Sequence, residues 1–118
     1  MFNNDKPIYI QLMDKIRELI VKEEYQSGKR LPSVREYASL YELNPNTVQK
    51  ALTELEKEKL IVTDSTNGRY VTTDIKLIKE TKDYLAKEKT KEYIASMNNI
   101  GITKEEINKY IGGIKWIS

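Results

Sequence analysis

Apolar residues recur every three or four positions from Pro7 to about Tyr25. Ile8, Leu12, Met13, Ile16, Leu19 and Ile20 fall on one face, which predicts a helix with a single buried side. Pro7 suits the first turn, where its missing N–H costs nothing. The helix should end before Ser27-Gly28, with Gly28 supplying a left-handed cap. Residues 28–32 then run extended, because the residue before Pro32 is pushed out of the helical region. Ser33-Val34-Arg35-Glu36 has the spacing of a capping box and starts a second helix. Val34, Tyr37, Ala38 and Tyr41 form its inner face, and Leu43 packs inward from the turn. Asn44 as N-cap and Pro45 at N1 open a third helix over 45–58. There Val48, Ala51, Leu52 and Leu55 face the core, leaving Asn46, Thr47, Gln49, Lys50, Thr53 and Glu54 outside.

The pattern then changes. Residues 60–63 and 69–72 are β-branched and aromatic runs, and the Asn67-Gly68 pair between them is a strong hairpin signal. A two-stranded hairpin is marginal alone, so this one must lean on the helices. After Asp74 comes one highly charged helical stretch over 75–98. Its apolar seam is narrow: Ile78, Tyr84, Leu85, Tyr93, Ile94 and Met97. Asn98-Asn99-Ile100-Gly101 breaks it, and Thr103-Lys104-Glu105-Glu106 opens a short helix that Gly112-Gly113 ends. Ile107, Tyr110 and Ile111 line one side of that helix, and residues 114–118 are an apolar tail containing Trp116. The pattern predicts a mainly α protein with a small β-hairpin. It is a winged helix-turn-helix over residues 1–73, followed by a short C-terminal helical dimerisation region over 74–118.

Composition narrows the chemistry. The chain has 118 residues with 39% apolar and 32% charged, which suits a small core that a partner subunit helps to complete. With no Cys and no His there is no disulfide framework, no thiolate or imidazole metal site and no Ser-His or Cys-His nucleophile. No pairing of carboxylates, Lys and Tyr stands out from a solvated helix surface, so an enzyme is not expected, nor a cofactor. No apolar run approaches a membrane span, and the first residues lack the basic start and apolar centre of a signal peptide. A cytoplasmic location follows as the expectation.

Charge gives no bulk signal for nucleic acid. Residues 1–73 carry 11 basic and 11 acidic side chains, and residues 74–118 carry 9 and 7. Placement is more telling. Lys29, Arg30, Arg35 and Lys50 against Glu36 and Glu42 leave residues 28–50 at +2. An α-helix fits the major groove, and its first turn presents N–H groups and polar side chains to phosphates and base edges. Asn46 and Thr47 lie in that turn of the third helix, with Gln49 and Lys50 beyond them. Gln pairs with adenine, and Lys with guanine or phosphate. Arg35 suits a phosphate or guanine edge, and Lys29 and Arg30 lead into its helix. Asn67, Gly68 and Arg69 make a wing tip small enough for a minor groove. Ser33 and Asn44 serve first as helix caps and second as DNA contacts. No single residue here is diagnostic; the order of the parts is.

That order resembles the GntR family of bacterial transcription regulators. The resemblance rests on Pro7-Ile8-Tyr9-Ile10-Gln11-Leu12, on Gly28 followed by Leu31-Pro32-Ser33-Val34-Arg35, and on Asn44-Pro45-Asn46-Thr47-Val48. It closes with Leu55 to Ile61 and Gly68-Arg69-Tyr70-Val71. It implies that Arg35, Asn46, Thr47, Gln49 and Lys50 face an operator, with Gly68 at the wing tip. There are two departures: Lys59 stands where the family usually has Gly, and Arg69 where it often has Thr. Lys59 must therefore tolerate a backbone conformation that glycine normally supplies. Some 45 residues after the wing are too few for the family's larger effector domains, and resemble the YtrA-like subfamily. That subfamily dimerises through this region and is commonly linked to transporter genes. The expectation is a homodimeric repressor on double-stranded DNA, with half-sites about 10 base pairs apart. Whether a small-molecule effector exists is unknown. The rival reading is a winged-helix module that binds protein without sequence-specific DNA recognition, favoured by the neutral first 73 residues.

Overall fold

The computed structural model describes residues 2–64 and 68–115. In chain order these form α1 (Ile8–Val21), α2 (Val34–Tyr41), α3 (Pro45–Lys57), β1 (Ile61–Asp64), β2 (Gly68–Val71), α4 (Ile75–Asn99) and α5 (Lys104–Gly113). The mainly helical class with one hairpin is as expected, and the strands start and stop within one residue of the predicted runs.

The apolar faces read from spacing build one core. Leu12, Met13, Ile16 and Ile20 of α1 meet Tyr37 of α2 and Val48, Ala51, Leu52 and Leu55 of α3, with Leu31, Leu60, Ile61 and Val71 closing it. Tyr37 is fully buried, and its hydroxyl donates to that of Tyr25 at 3.1 Å. Burial first, and this bond second, hold its pKa well above the ordinary phenol value. Arg17 of α1 donates to both oxygens of Glu58, just past α3, and to Asp14 at 2.9 Å. This fork ties the end of α3 to α1.

Two local expectations are corrected. The first helix stops at Val21 and not near Tyr25, because Glu23 turns left-handed at φ 67. The Tyr25 N–H then returns to the Leu19 carbonyl at 2.9 Å. Gly28 is indeed left-handed, at φ 81, but it does not cap that helix. Its N–H donates to the Val71 carbonyl at 3.0 Å, turning the chain onto the hairpin.

The hairpin is antiparallel, with Ile61 opposite Val71 and Thr63 opposite Arg69. The segment before Pro32 adds a third line, since Arg30 bridges to Tyr70. The Leu31 N–H donates to Arg69 O and the Val71 N–H to Lys29 O, both at 2.8 Å. Pro32 accounts for the extended backbone of this segment, and the partner comes from a strand about forty residues on. The pairing satisfies an otherwise open edge of β2 and explains how so short a hairpin is stable.

The chain divides into two compact units, Met1–Thr81 and Lys82–Ser118. The first includes the start of α4, because Leu77 and Ile78 pack against its core. The compositional shift at Asp74 and the edge of that unit are thus different places. Within the second unit, α4 ends with Gly101 left-handed at φ 86 and the Ile102 N–H bonded to Met97 O at 3.0 Å. Thr103 donates its N–H and its hydroxyl to the Glu106 carboxylate at 3.1 and 2.9 Å, fixing the start of α5. Ile107 is buried, whereas Tyr84, Tyr93, Tyr110, Ile111 and Ile114 are exposed. Trp116 and Ile117 lie outside the described residues. Among the described residues no helix is long and apolar enough to cross a membrane.

Candidate nucleic-acid interface

The α2–turn–α3 unit is set by three local devices. Ser33 Oγ accepts from the Glu36 N–H at 3.1 Å, and Glu36 Oε1 accepts from the Ser33 N–H at 2.9 Å, completing the capping box. The bond from the Ser33 backbone, then its hydroxyl, holds the Glu36 carboxyl below its ordinary pKa, with Arg30 adding a smaller pull. Glu42 then turns left-handed at φ 55, and the Leu43 N–H reaches Ala38 O at 2.9 Å. Asn44 Oδ1 accepts from the Asn46 N–H at 2.8 Å, with Pro45 at the next position. The chain therefore leaves one helix and enters the next within three residues.

The candidate contacts fall into two groups and some outliers. Asn46, Thr47 and Lys50 line one shallow cavity of about 390 Å³ with Ile8 and Tyr9 of α1. The Lys50 ammonium stands 4.2 Å from the centre of the Tyr9 ring, close enough for a cation–π contact. Arg30, Ser33, Gly68 and Arg69 line a second cavity of about 180 Å³, between the start of α2 and the wing. Arg35, Gln49 and Lys29 are exposed and line neither. Gln49 donates to Thr53 Oγ1 at 3.2 Å along the open face of α3. Asn44 is occupied by its capping role, and Asn67 lies outside the described residues.

The described strands of the wing are held from several sides. A Cβ on Gly68 would lie 3.1 Å from Tyr70 Cε1 and 3.2 Å from Arg30 Nε, so the space left by the missing side chain is already filled from within. Arg69 Nε donates to Glu56 Oε1 at 2.9 Å, and the Thr63 hydroxyl donates to Glu56 Oε2. Burial pushes the Glu56 carboxyl up, but Thr63 and Arg69 outweigh it and hold its pKa below the ordinary value.

Two residues escaped the sequence reading. Tyr9 enters the sequence argument only within the Pro7–Leu12 motif, although its place one position after Ile8 puts it at the edge of the buried stripe and beside α3. Glu56 stands in the sequence only within the Leu55–Ile61 motif, and nothing local signals its pairing with a strand residue thirteen positions on.

Residues 8–71 match the bacterial regulatory proteins of the gntR family. The HTH-type transcriptional regulator YhcF of Bacillus subtilis strain 168 is 36% identical over 114 residues, covering 97% of this chain and 92% of its own. The HTH-type transcriptional repressor YtrA of the same organism is 38% identical, covering 89% of this chain and 82% of its own. A solved GntR family transcriptional regulator from Listeria monocytogenes superposes with a TM-score of 0.87 at 38% identity, covering 97% of this chain and 100% of that one. The chain belongs to the gntR family of bacterial regulatory proteins, on its YtrA-like side, and is a DNA-binding transcription regulator.

Proposed function

We propose that this regulator is a cytoplasmic homodimeric repressor that occupies a roughly palindromic operator and blocks a promoter sterically. In this reading α3 is the recognition helix: Asn46 and Thr47 meet backbone or base edges from its first turn, and Gln49 and Lys50 read further along. Arg35, Lys29 and Arg30 contact phosphate or guanine from the approach to α2 and its first turn. Ser33 and Asn44 add to the contacts from their capping positions, and Gly68 and Asn67 bring the wing to the minor groove. Residues 74–118 pair two copies, supported by the exposed Tyr84, Tyr93, Tyr110, Ile111 and Ile114. The repressor sense is supported by the YtrA relative's name. Transporter genes are the expected targets from the resemblance.

The observation that carries the reading is the state of Arg35. It is exposed at the start of α2 with no acidic partner among the described residues, whereas Arg17, Lys57 and Arg69 are all ion-paired. Arg35→Ala should lower affinity by about 1–3 kcal/mol with the fold intact. The measurement is a titration of both proteins, at fixed salt, on a duplex recovered from random DNA by the wild-type chain. Equal affinity removes Arg35 from the interface. Repeating the wild-type titration across salt tests the rival protein-interaction reading, because binding through several phosphates must weaken steeply as salt rises.

A further inference from the structure

Glu56 grips both strands of the wing at one rung. Thr63 and Arg69 are register partners across the hairpin, and both donate to the same carboxylate, one to each oxygen. The main chain of Arg69 is held as well, since its carbonyl accepts the Leu31 N–H at 2.8 Å. The guanidinium and carboxylate side chains are 22% and 28% exposed, so neither swings freely in water. Glu56 lies on the α3 helix, two turns beyond Gln49 and Lys50, and its grip fixes the wing relative to that surface. A charge-assisted pair of this kind is directional, and a half-buried carboxylate resists losing its partner. The Nε–H of Arg69 is committed to Glu56 and its side chain is only 22% exposed, which favours placing the wing over reaching out, while the terminal nitrogens keep their own N–H donors.

We infer that Glu56 and Arg69 are a positioning pair that locks the wing onto the recognition helix, so that Arg69 supports DNA binding by placement and not by a phosphate contact of its own. The inference rests on the DNA-binding reading above and refines the role of the wing within it.

The test uses the full chain with Glu56→Gln, Arg69→Gln and the double substitution. The DNA probe is a duplex enriched from a random pool by the wild-type chain. Each single change should weaken binding about three- to tenfold, and the double change no further, because the pair acts as a unit. The slope of log affinity against log salt should stay the same in Arg69→Gln. Amide hydrogen exchange without DNA should rise in 61–64 and 68–71 in every variant and stay unchanged in α1. A salt slope reduced by about 0.9 in Arg69→Gln would mean a lost phosphate contact and would overturn the inference. Tighter binding by Glu56→Gln, through a released arginine, would overturn it too, as would unchanged exchange in the wing. A wild-type chain that enriches no duplex would sink the DNA-binding reading instead, and the exchange measurement would still decide the tie.

Discussion

Lys59, two residues before the first wing strand, carries a φ of 66, in a region that favours glycine. Relatives of this type usually carry glycine at this position, and the backbone takes the conformation glycine would supply. A left-handed residue with a Cβ costs about 1–2 kcal/mol, partly offset by the extra freedom glycine has when unfolded. Lys59→Gly should therefore stabilise the chain by about 0.5–1 kcal/mol, read as a higher urea midpoint at unchanged slope. A lower midpoint would mean that the lysine side chain contributes packing that outweighs the strain. Glu23 and Glu42 share the left-handed conformation. Neither was legible in the sequence, because a non-glycine residue gives no local sign that it will turn this way. Tyr9 offers a second test at this scale. If its ring holds Lys50 in place, Tyr9→Ala should weaken DNA binding by about 0.5–1 kcal/mol while Tyr9→Phe leaves it nearly intact. Equal loss in both would assign the effect to the hydroxyl.

At the scale of elements, what depends on neighbours in sequence was readable and what depends on distant partners was not. The inner face of α3 follows from Val48, Ala51, Leu52 and Leu55, and the starts of α2 and α3 follow from Ser33 and Asn44. These are periodicity and capping, both written within a few residues. By contrast, the pairing of residues 28–31 with β2 and the bond from Arg69 to Glu56 join separate parts of the chain. Sequence alone places Arg69 in a wing tip facing a minor groove, because its acidic partner lies on another element. The pH dependence of the wing follows from the same bond. The folded-state pKa of Glu56 lies below its ordinary value of 4.5, so its contribution is present above that value and disappears as pH falls through the folded one. The stability difference between wild type and Glu56→Gln should be constant near neutrality and shrink in acid below about pH 4.5. A difference that persists undiminished at lower pH would mean that the ionised carboxylate is not what holds the wing. Capping can be tested too: Ser33→Ala should cost about 1 kcal/mol of stability by thermal or urea unfolding.

Across the molecule, the first unit carries a well-filled core, and among the described residues the second buries little. Leu12, Ile16, Tyr37, Val48, Leu52 and Leu55 are all fully buried, whereas no residue of α4 is buried and Ile107 alone is buried in α5 among the described residues. A 25-residue helix with so polar a surface gains its stability from packing and not from propensity. Pairing of two copies would supply that packing and would also place two recognition helices for two half-sites. Ile111→Glu should then shift the sedimentation coefficient from dimer toward monomer and weaken operator binding together. A dimer that persists unchanged would move the interface elsewhere.

A homodimer that reads DNA through α3 must select a two-fold symmetric site. Selection of bound fragments from random duplex DNA by the purified full chain tests it most directly. One motif should be enriched, its halves inverted repeats with centres about 10 base pairs apart or a multiple of that spacing. Repeated rounds that enrich no motif, with recovery independent of sequence, would contradict it.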